Sequence, residues 1–330
     1  MWIKKPKRSL LSPSDRHHPA VSIKGLRKVY PGSPPFVAVN DLSFDIEQGE
    51  IVGLLGANGS GKTTTIQMLL STLESTAGSI SYLGKDFFSH RSEILQEVVF
   101  ASTYTSLPRN LTIQKNLDIF GALYGIKKSV LAQRVPALLE KFGLSHKKNH
   151  LVGELSAGQM TRLVLIRAFM VHPKVALLDE PTASLDPSVA REVIDFILEQ
   201  RKSLGTAILF TSHNMGEVAA VCDRVLFLQS GSIIAEGTPK TLAHMAAMTK
   251  LELCINDKLA VAVQIAEQLQ LQYEVRQRML VLHLEEKDIA LFLTQLALQN
   301  IIYTDIQIIR PSLEDYFLKI TQDSRPTCCL

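Results

Sequence analysis

The sequence has few cysteines and no long apolar run. Its four cysteines are Cys222, Cys254, Cys328 and Cys329, and none of them falls in a metal-type spacing, so neither a disulfide framework nor a cysteine–metal site is expected. No apolar run approaches the roughly 20 residues that are needed to cross a bilayer. The N-terminus also lacks the apolar segment of a signal peptide. These absences predict a protein that stays in the cytoplasm.

The chain also lacks a strong net charge. Its formal charge is +3 over 330 residues, which is too small to indicate nucleic acid as a partner. Basic residues gather at residues 1–19, which are predicted to form a flexible extension, with contact to anionic lipid or RNA as the alternative. The hydrophobic fraction of 46% is that of an ordinary globular protein, and the length leaves room for two domains.

One glycine-rich stretch, residues 56–64, carries a motif with a defined chemistry. It fits G-x-x-x-x-G-K-[ST], follows an apolar run suited to a buried parallel strand and precedes a helical pattern. Such a loop turns its N–H groups toward a phosphate, Lys62 reaches the β- and γ-phosphates, and Thr63 gives a hydroxyl to Mg²⁺. A glycine turn that binds nothing is the alternative. It is disfavoured because Lys62 at a helix N-terminus opposes the helix dipole unless an anion is present.

The motif predicts a nucleotide phosphate site. Its predicted nucleotide-binding residues are Gly56, Ala57, Asn58, Gly59, Ser60, Gly61, Lys62, Thr63 and Thr64.

Two acidic residues, Asp179 and Glu180, end a second apolar strand pattern. Ligands of open parallel sheets lie at the carboxyl ends of strands, so both acids are expected at the edge that holds the glycine loop. Asp179 is then placed to hold Mg²⁺ and Glu180 to orient or deprotonate an attacking water. His213 follows a further strand pattern and is expected at the same edge, near the γ-phosphate, with a purely structural histidine as the alternative.

Two more residues become candidates for a role in binding only because the chain also contains the glycine loop. Ser156 precedes a helical pattern and is a good N-cap residue, and the exposed N–H groups of such a helix N-terminus also bind anions. Tyr30 is an aromatic residue upstream of the loop on which adenine can stack. Its alternative is an ordinary half-buried position in a strand.

In this order and spacing, the motifs resemble those of ABC transporter ATP-binding subunits, over about residues 21–237. The residues that carry the resemblance are the Walker A loop at 56–64, the signature at Ser156, Ala157, Gly158 and Gln159, the Walker B acids Asp179 and Glu180, the D-loop at Ser184, Leu185 and Asp186, and the switch histidine His213. Tyr30 matches the aromatic residue that stacks on adenine in this family.

The resemblance implies an α/β P-loop NTPase core with an N-terminal antiparallel β subdomain, in residues 20–246, and an α-helical insert at about 104–160. Residues 247–330 show strand and helix patterns in the order β-α-β-β-α-β, which fits a small ferredoxin-like α+β domain. This extension is similar to the tails of bacterial exporter subunits for drugs, lipids or ions. Export is therefore the expected direction of transport.

The resemblance also implies an ATPase that uses ATP and Mg²⁺ and lies on the cytoplasmic face of the plasma membrane. It would power separate transmembrane permease subunits, and two copies would meet head to tail around two ATP molecules. Thr103 stands where the family pattern has a glutamine that contacts Mg²⁺ and the attacking water; its hydroxyl can still reach the metal shell, but over a shorter distance, and the departure bears on the rate of hydrolysis. A low-turnover regulatory subunit and a soluble ABC ATPase acting on the ribosome or DNA stay as alternatives.

Overall fold

The computed structural model describes residues 18–102, 105–183, 185–246 and 248–323. These residues divide into two compact units, the first ending at Gly237 and the second beginning at Thr238. The boundary expected from the sequence lies later, after Ala246. The second unit begins earlier because the helix Pro239–Ala246 packs against the helix Leu313–Asp323 of that unit.

In the first unit, strands and helices alternate along much of the chain. The strands are β1 (Val21–Tyr30), β2 (Phe36–Ile46), β3 (Ile51–Leu55), β4 (Ala77–Tyr82), β5 (Lys85–Asp86), β6 (Val98–Ser102), β7 (Val175–Asp179), β8 (Ala207–Thr211), β9 (Arg224–Gln229) and β10 (Ser232–Gly237). The helices are α1 (Lys62–Leu69), α2 (Arg91–Ile94), α3 (Ile113–Leu123), α4 (Lys128–Lys141), α5 (Ala157–Phe169), α6 (Pro187–Leu204) and α7 (Met215–Val221).

The strands of the first unit pair into an antiparallel sheet and a mainly parallel sheet. The antiparallel sheet has the order β2-β1-β4-β5 and is the β subdomain expected from the sequence. The other sheet has the order β10-β9-β3-β8-β7-β6, in which only the β9–β10 hairpin is antiparallel. Because β3, β7 and β8 are parallel, their carboxyl ends meet at one edge.

One hydrophobic core joins the two sheets. Val21 and Ile23 of β1 belong to the same buried cluster as Val52 and Leu54 of β3 and Leu177 of β7. Every residue of β3 and β8 is buried, which explains why both strands read as uninterrupted apolar runs. The glycine loop and the strand ends beside it are therefore attached to fully buried strands of this core.

The chain between β6 and β7 is largely helical, as predicted. The side chain of Thr112 caps α3 by accepting a hydrogen bond from the backbone N–H of Lys115. The Tyr124 hydroxyl donates to the carbonyl oxygen of Val98 at 2.9 Å. These helices are thereby attached to the start of β6.

The second unit contains α8 (Pro239–Ala246), β11 (Thr249–Ile255), α9 (Leu259–Gln268), β12 (Gln272–Arg276), β13 (Met279–Leu284), α10 (Glu286–Leu298), β14 (Tyr303–Ile309) and α11 (Leu313–Asp323). Its four strands form an antiparallel sheet of order β12-β13-β11-β14. From β11 to β14 the elements follow the predicted order β-α-β-β-α-β. Leu253 and Leu282 of the sheet pack with Ile265 of α9 and Phe292 of α10.

Within the described residues, none of the helices combines the length and the apolar character that crossing a bilayer requires.

Candidate functional site

The loop between β3 and α1 has the backbone shape of an anion-binding loop. Gly56, Gly59 and Gly61 have φ values of 151°, 79° and 108°. A Cβ atom at Gly56 would lie 2.3 Å from the carbonyl oxygen of Leu228, and one at Gly61 would lie 2.6 Å from the carbonyl oxygen of Ala38. Glycine is therefore required at both positions by backbone conformation and by space.

Lys62 begins α1 and folds its side chain over the loop. Its Nζ donates to the carbonyl oxygen of Gly56 at 2.7 Å and to that of Ala57 at 3.1 Å. Burial lowers the pKa of Lys62, and the negative charges of Glu180 and Asp179 oppose that shift. An ammonium group that is half-buried and close to the loop can bind phosphate oxygens with little competition from water.

A cleft of about 450 Å³ lies beside this loop. Its lining residues come from the loop and from both sheets: Phe36, Ala38, Asn58, Gly59, Gly61, Lys62, Thr63, Thr64, Phe100, Ser102, Thr105, Asp179 and Glu180. The lining brings together Lys62, Thr63, Asp179 and Glu180, four residues that the sequence singled out from distant motifs.

The residues of the cleft and of the glycine loop fit a nucleoside triphosphate with Mg²⁺. The buried hydroxyl of Ser60, within the glycine loop, has no hydrogen-bond partner in the described ranges and can donate to a phosphate oxygen. No group of three or more His, Cys, Asp or Glu in the described residues forms a complete metal site. The hydroxyl of Thr63 and the carboxylate of Asp179 suit a Mg²⁺ that takes its other ligands from phosphate and water.

Glu180 contacts His213 across two strand ends. Glu180 Oε1 lies 2.5 Å from His213 Nε2. The backbone N–H of Glu180 donates to the carbonyl oxygen and to the hydroxyl of Thr211, both at 3.1 Å. The Thr211 hydroxyl donates to Asp179 Oδ1 at 2.7 Å. The end of β8 thus positions both carboxylates of the end of β7.

The backbone of Glu180 is itself strained. Its φ is 51°, a value that costs a residue with a side chain about 1–3 kcal/mol. The hydrogen bonds to Thr211 and the contact with His213 hold it there. The strain turns the Glu180 side chain away from the direction that a continuing strand would give it.

Two aromatic residues line the cleft, Phe36 and Phe100, and sequence reasoning missed Phe36 as a site residue. Phe36 is 60% exposed. Tyr30, the residue that the sequence proposed, pairs with Phe36 in the β1–β2 ladder and is not among the lining residues. The two rings stack, with centroids 6.4 Å apart and an interplanar angle of 22°. Lys28 Nζ lies 5.3 Å from the centroid of the Tyr30 ring. The sequence signal that could have identified Phe36 is an aromatic residue at the start of a predicted strand.

The predicted signature residues form the N-terminus of α5. Ser156 is the N-cap residue: its hydroxyl accepts from the backbone N–H of Gln159 at 3.3 Å, and Gln159 Oε1 accepts from the N–H of Ser156 at 3.2 Å. Of the described residues that line the cleft, none belongs to this segment. A Cβ atom at Gly158 would lie 3.6 Å from Leu185 Cδ2, so the segment adjoins the predicted D-loop.

Two predicted site residues, Thr103 and Ser184, lie outside the described residues. Their assignment to the metal shell and to the D-loop stays a prediction. Asp186, also assigned to the D-loop, is the N-cap residue of α6.

Comparison with known proteins gives consistent matches. The family model described as ABC transporter matches residues 39–183. The doxorubicin resistance ATP-binding protein DrrA of Mycobacterium tuberculosis is 34% identical over 313 residues, which cover 92% of this chain and 94% of that protein. The Nod factor export ATP-binding protein I of Burkholderia lata is 40% identical over 206 residues, which cover 62% of this chain and 67% of that protein.

A solved structure of the ATP-binding subunit of an ABC transporter has the same fold. Its TM-score is 0.64 at 26% identity, over 68% of this chain and 92% of that chain. The match to DrrA is longer than the first unit and therefore extends into the second.

Proposed function

The chain belongs to the ABC transporter ATP-binding family and is an ATPase, and from this premise we propose that it powers a membrane exporter from the cytoplasmic face of the membrane. The observation that carries the proposal is the single cleft lined by Lys62, Thr63, Asp179 and Glu180, with His213 in contact with Glu180. The names of relatives that confer doxorubicin resistance or export Nod factor support export as the direction.

We assign ATP binding to the glycine loop and to Lys62. The loop N–H groups and the N-terminus of α1 face the phosphates, and the Lys62 ammonium binds the β- and γ-phosphate oxygens in place of the carbonyl oxygens it now contacts. Thr63 and Asp179 would hold Mg²⁺, which neutralises charge on the phosphate oxygens when it is bound. Binding an anion offsets the cost of burying the Lys62 charge.

We assign the chemical step to Glu180. Its carboxylate accepts a proton from the water that attacks the γ-phosphorus, while the bond to the β–γ bridging oxygen breaks and ADP leaves. In this proposal His213 orients the carboxylate through the 2.5 Å contact and also contacts the γ-phosphate. Since Thr211 also positions Asp179, both acids are fixed before the nucleotide arrives.

The signature residues act, in this proposal, on ATP bound by a second copy of the chain. Ser156 and Ala157 are exposed at the N-terminus of α5, and this segment takes no part in lining the chain's own cleft. A helix N-terminus presents N–H groups to an anion. Two copies in head-to-tail contact would therefore complete two sites.

We further propose that adenine stacks on Phe36, with Tyr30 behind it. Stacking of a base on an aromatic ring is worth about 1–3 kcal/mol. Phe36→Ala is therefore expected to raise the Kd for ADP by about 10-fold, measured by isothermal titration calorimetry. Tyr30→Ala is expected to have the smaller effect because Tyr30 stacks on the Phe36 ring but does not line the cleft.

Phe36→Tyr is the matched control, since it keeps the ring and should keep the Kd. Pyrophosphate, which has no base, should bind Phe36→Ala and the parental chain equally. A larger loss for Tyr30→Ala than for Phe36→Ala would assign the base to Tyr30 instead.

Copurification tests the exporter proposal. The tagged chain, isolated from detergent-solubilised membranes, is expected to retain a protein with several transmembrane segments, identified by mass spectrometry. Retention of ribosomes or DNA without such a membrane protein would overturn the proposal.

A further inference from the structure

Glu217 on α7 receives hydrogen bonds from the loop that follows β7 and from the loop that follows β8. Its Oε2 accepts from the hydroxyl of Thr182 at 2.5 Å and from the hydroxyl of Ser212 at 3.1 Å. Its Oε1 accepts from Asn214 Nδ2 at 3.3 Å. Thr182 belongs to the loop after β7, whereas Ser212 and Asn214 belong to the loop after β8. One carboxylate therefore links two strand ends.

These hydrogen bonds close a ring with the contact between Glu180 and His213. Thr182 follows Glu180 closely in the chain, and Ser212 immediately precedes His213. The side chains of the two loops are thus joined through the catalytic pair and again through Glu217, in addition to the backbone hydrogen bonds of Glu180 to Thr211. Losing the Glu217 link leaves the separation of the Glu180 and His213 side chains to their own contact and to the hydrogen bonds between the Glu180 backbone and Thr211.

Water cannot readily replace Glu217 in this network. Thr182 is 6% exposed and Ser212 is 9% exposed. A buried hydroxyl that loses its acceptor costs free energy, and the loop that carries it moves to recover a partner. Asn214 strengthens the arrangement, because its Oδ1 accepts from the backbone N–H groups of Gly216 and Glu217 and so caps α7.

We infer that Glu217 is a positioning residue for ATP hydrolysis, which holds the Glu180–His213 pair at its working separation without touching the nucleotide. The inference rests on the proposed function. Glu217 lies outside the cleft lining, and the hydrogen bonds of its side chain go to the two loops.

The same link joins the D-loop to the switch histidine. The loop that contains Thr182 continues to Leu185, which lies against Gly158 of the signature segment. A displacement of that loop by a second copy is passed through Thr182 and Glu217 to the loop of His213. Glu217 thereby makes the geometry of the catalytic pair sensitive to the state of the interface.

Glu217→Ala is the first test, with kcat for ATP hydrolysis and Kd for ADP measured on the full chain. A small misplacement of a catalytic group costs up to about 100-fold in rate. We therefore expect kcat to fall by about 10-fold or more while the Kd changes by less than about 2-fold. Glu217→Gln keeps an oxygen acceptor for the two hydroxyl groups and is expected to recover most of the kcat.

Thr182 provides an independent pair of variants should Glu217→Ala fail to fold. Thr182→Val removes the hydroxyl at nearly constant shape and is expected to lower kcat, whereas Thr182→Ser keeps the hydroxyl and the rate. The double variant of Glu217→Ala and Thr182→Val should be no slower than the slower single variant, because both changes break the same link.

Several outcomes would overturn the inference. The first is an unchanged kcat in both Thr182→Val and Glu217→Ala. If Glu217→Ala does not fold, an unchanged kcat in Thr182→Val alone overturns the inference. Another is a loss of ADP affinity as large as the loss of rate, which would indicate general disruption. The parental chain, assayed in parallel, distinguishes a failure of the proposed function from a failure of this inference. If the parental chain hydrolyses no ATP, the proposed function fails and this inference fails with it. If it hydrolyses ATP and the variants match it, the inference alone fails.

Discussion

Glu180→Gln is expected to lower kcat for ATP hydrolysis by about 100-fold or more and to leave ATP bound. The change removes the group that accepts the proton of the attacking water but keeps the size of the side chain. Glutamine also keeps an oxygen that can face His213 Nε2, so the local structure should persist. The measurement is steady-state release of phosphate together with the Kd for ATP.

The matched control for this variant is Glu93→Gln. Glu93 is an exposed glutamate on α2 whose partner is Lys85, and surface ion pairs of this kind contribute little. Its substitution should leave both kcat and Kd at their parental values. Hydrolysis by Glu180→Gln at the parental rate would remove Glu180 from the chemical step.

Lys62→Ala is expected to raise the Kd for ATP by about 100-fold. Hydrogen bonds to a charged group are worth about 1.5–3 kcal/mol each, and Lys62 is assigned to two phosphates. Burial lowers its pKa, which means that the folded chain binds this proton less tightly than the unfolded chain does. At a pH below the pKa that Lys62 has in the unfolded chain, the buried charge therefore opposes folding. Replacing Lys62 with alanine should thus not lower Tm through the loss of a favourable charge.

Thermal unfolding separates loss of binding from loss of fold. ATP should raise the Tm of the parental chain and not that of Lys62→Ala. Lys128→Ala is the matched control, since Lys128 is an exposed lysine at the start of α4 with no glycine loop before it. Equal ATP affinity in Lys62→Ala and Lys128→Ala would contradict the assignment of the glycine loop.

The local parts of the site could be predicted from the sequence because each is contiguous. The strand, the glycine loop and the start of α1 follow one another in residues 51–69. Asp179 and His213 each follow an apolar run, and the rule for parallel strands places both runs at one edge. The end of α5 is harder to predict: the helix ends at Phe169, although Pro173 disfavours a helical backbone only at His172, whose φ is 57°.

Residues whose role depends on pairing between distant segments could not be predicted. Phe36 reaches the cleft because of the register of β1 and β2, which contains irregularities that no sequence pattern announces. Glu217 belongs to a short helix with ordinary composition, and its partners Thr182 and Ser212 come from two loops. Such contacts become visible only when the strand ends have been placed side by side.

The molar mass of Glu180→Gln, measured by light scattering with and without MgATP, tests most directly whether ATP completes a site between two copies. Without nucleotide, a monomer is expected. With saturating MgATP, we expect a dimer, because each copy closes its signature segment over the ATP held by the other. Adding Lys62→Ala should return the variant to a monomer. A monomer that holds ATP at saturation would contradict the head-to-tail dimer.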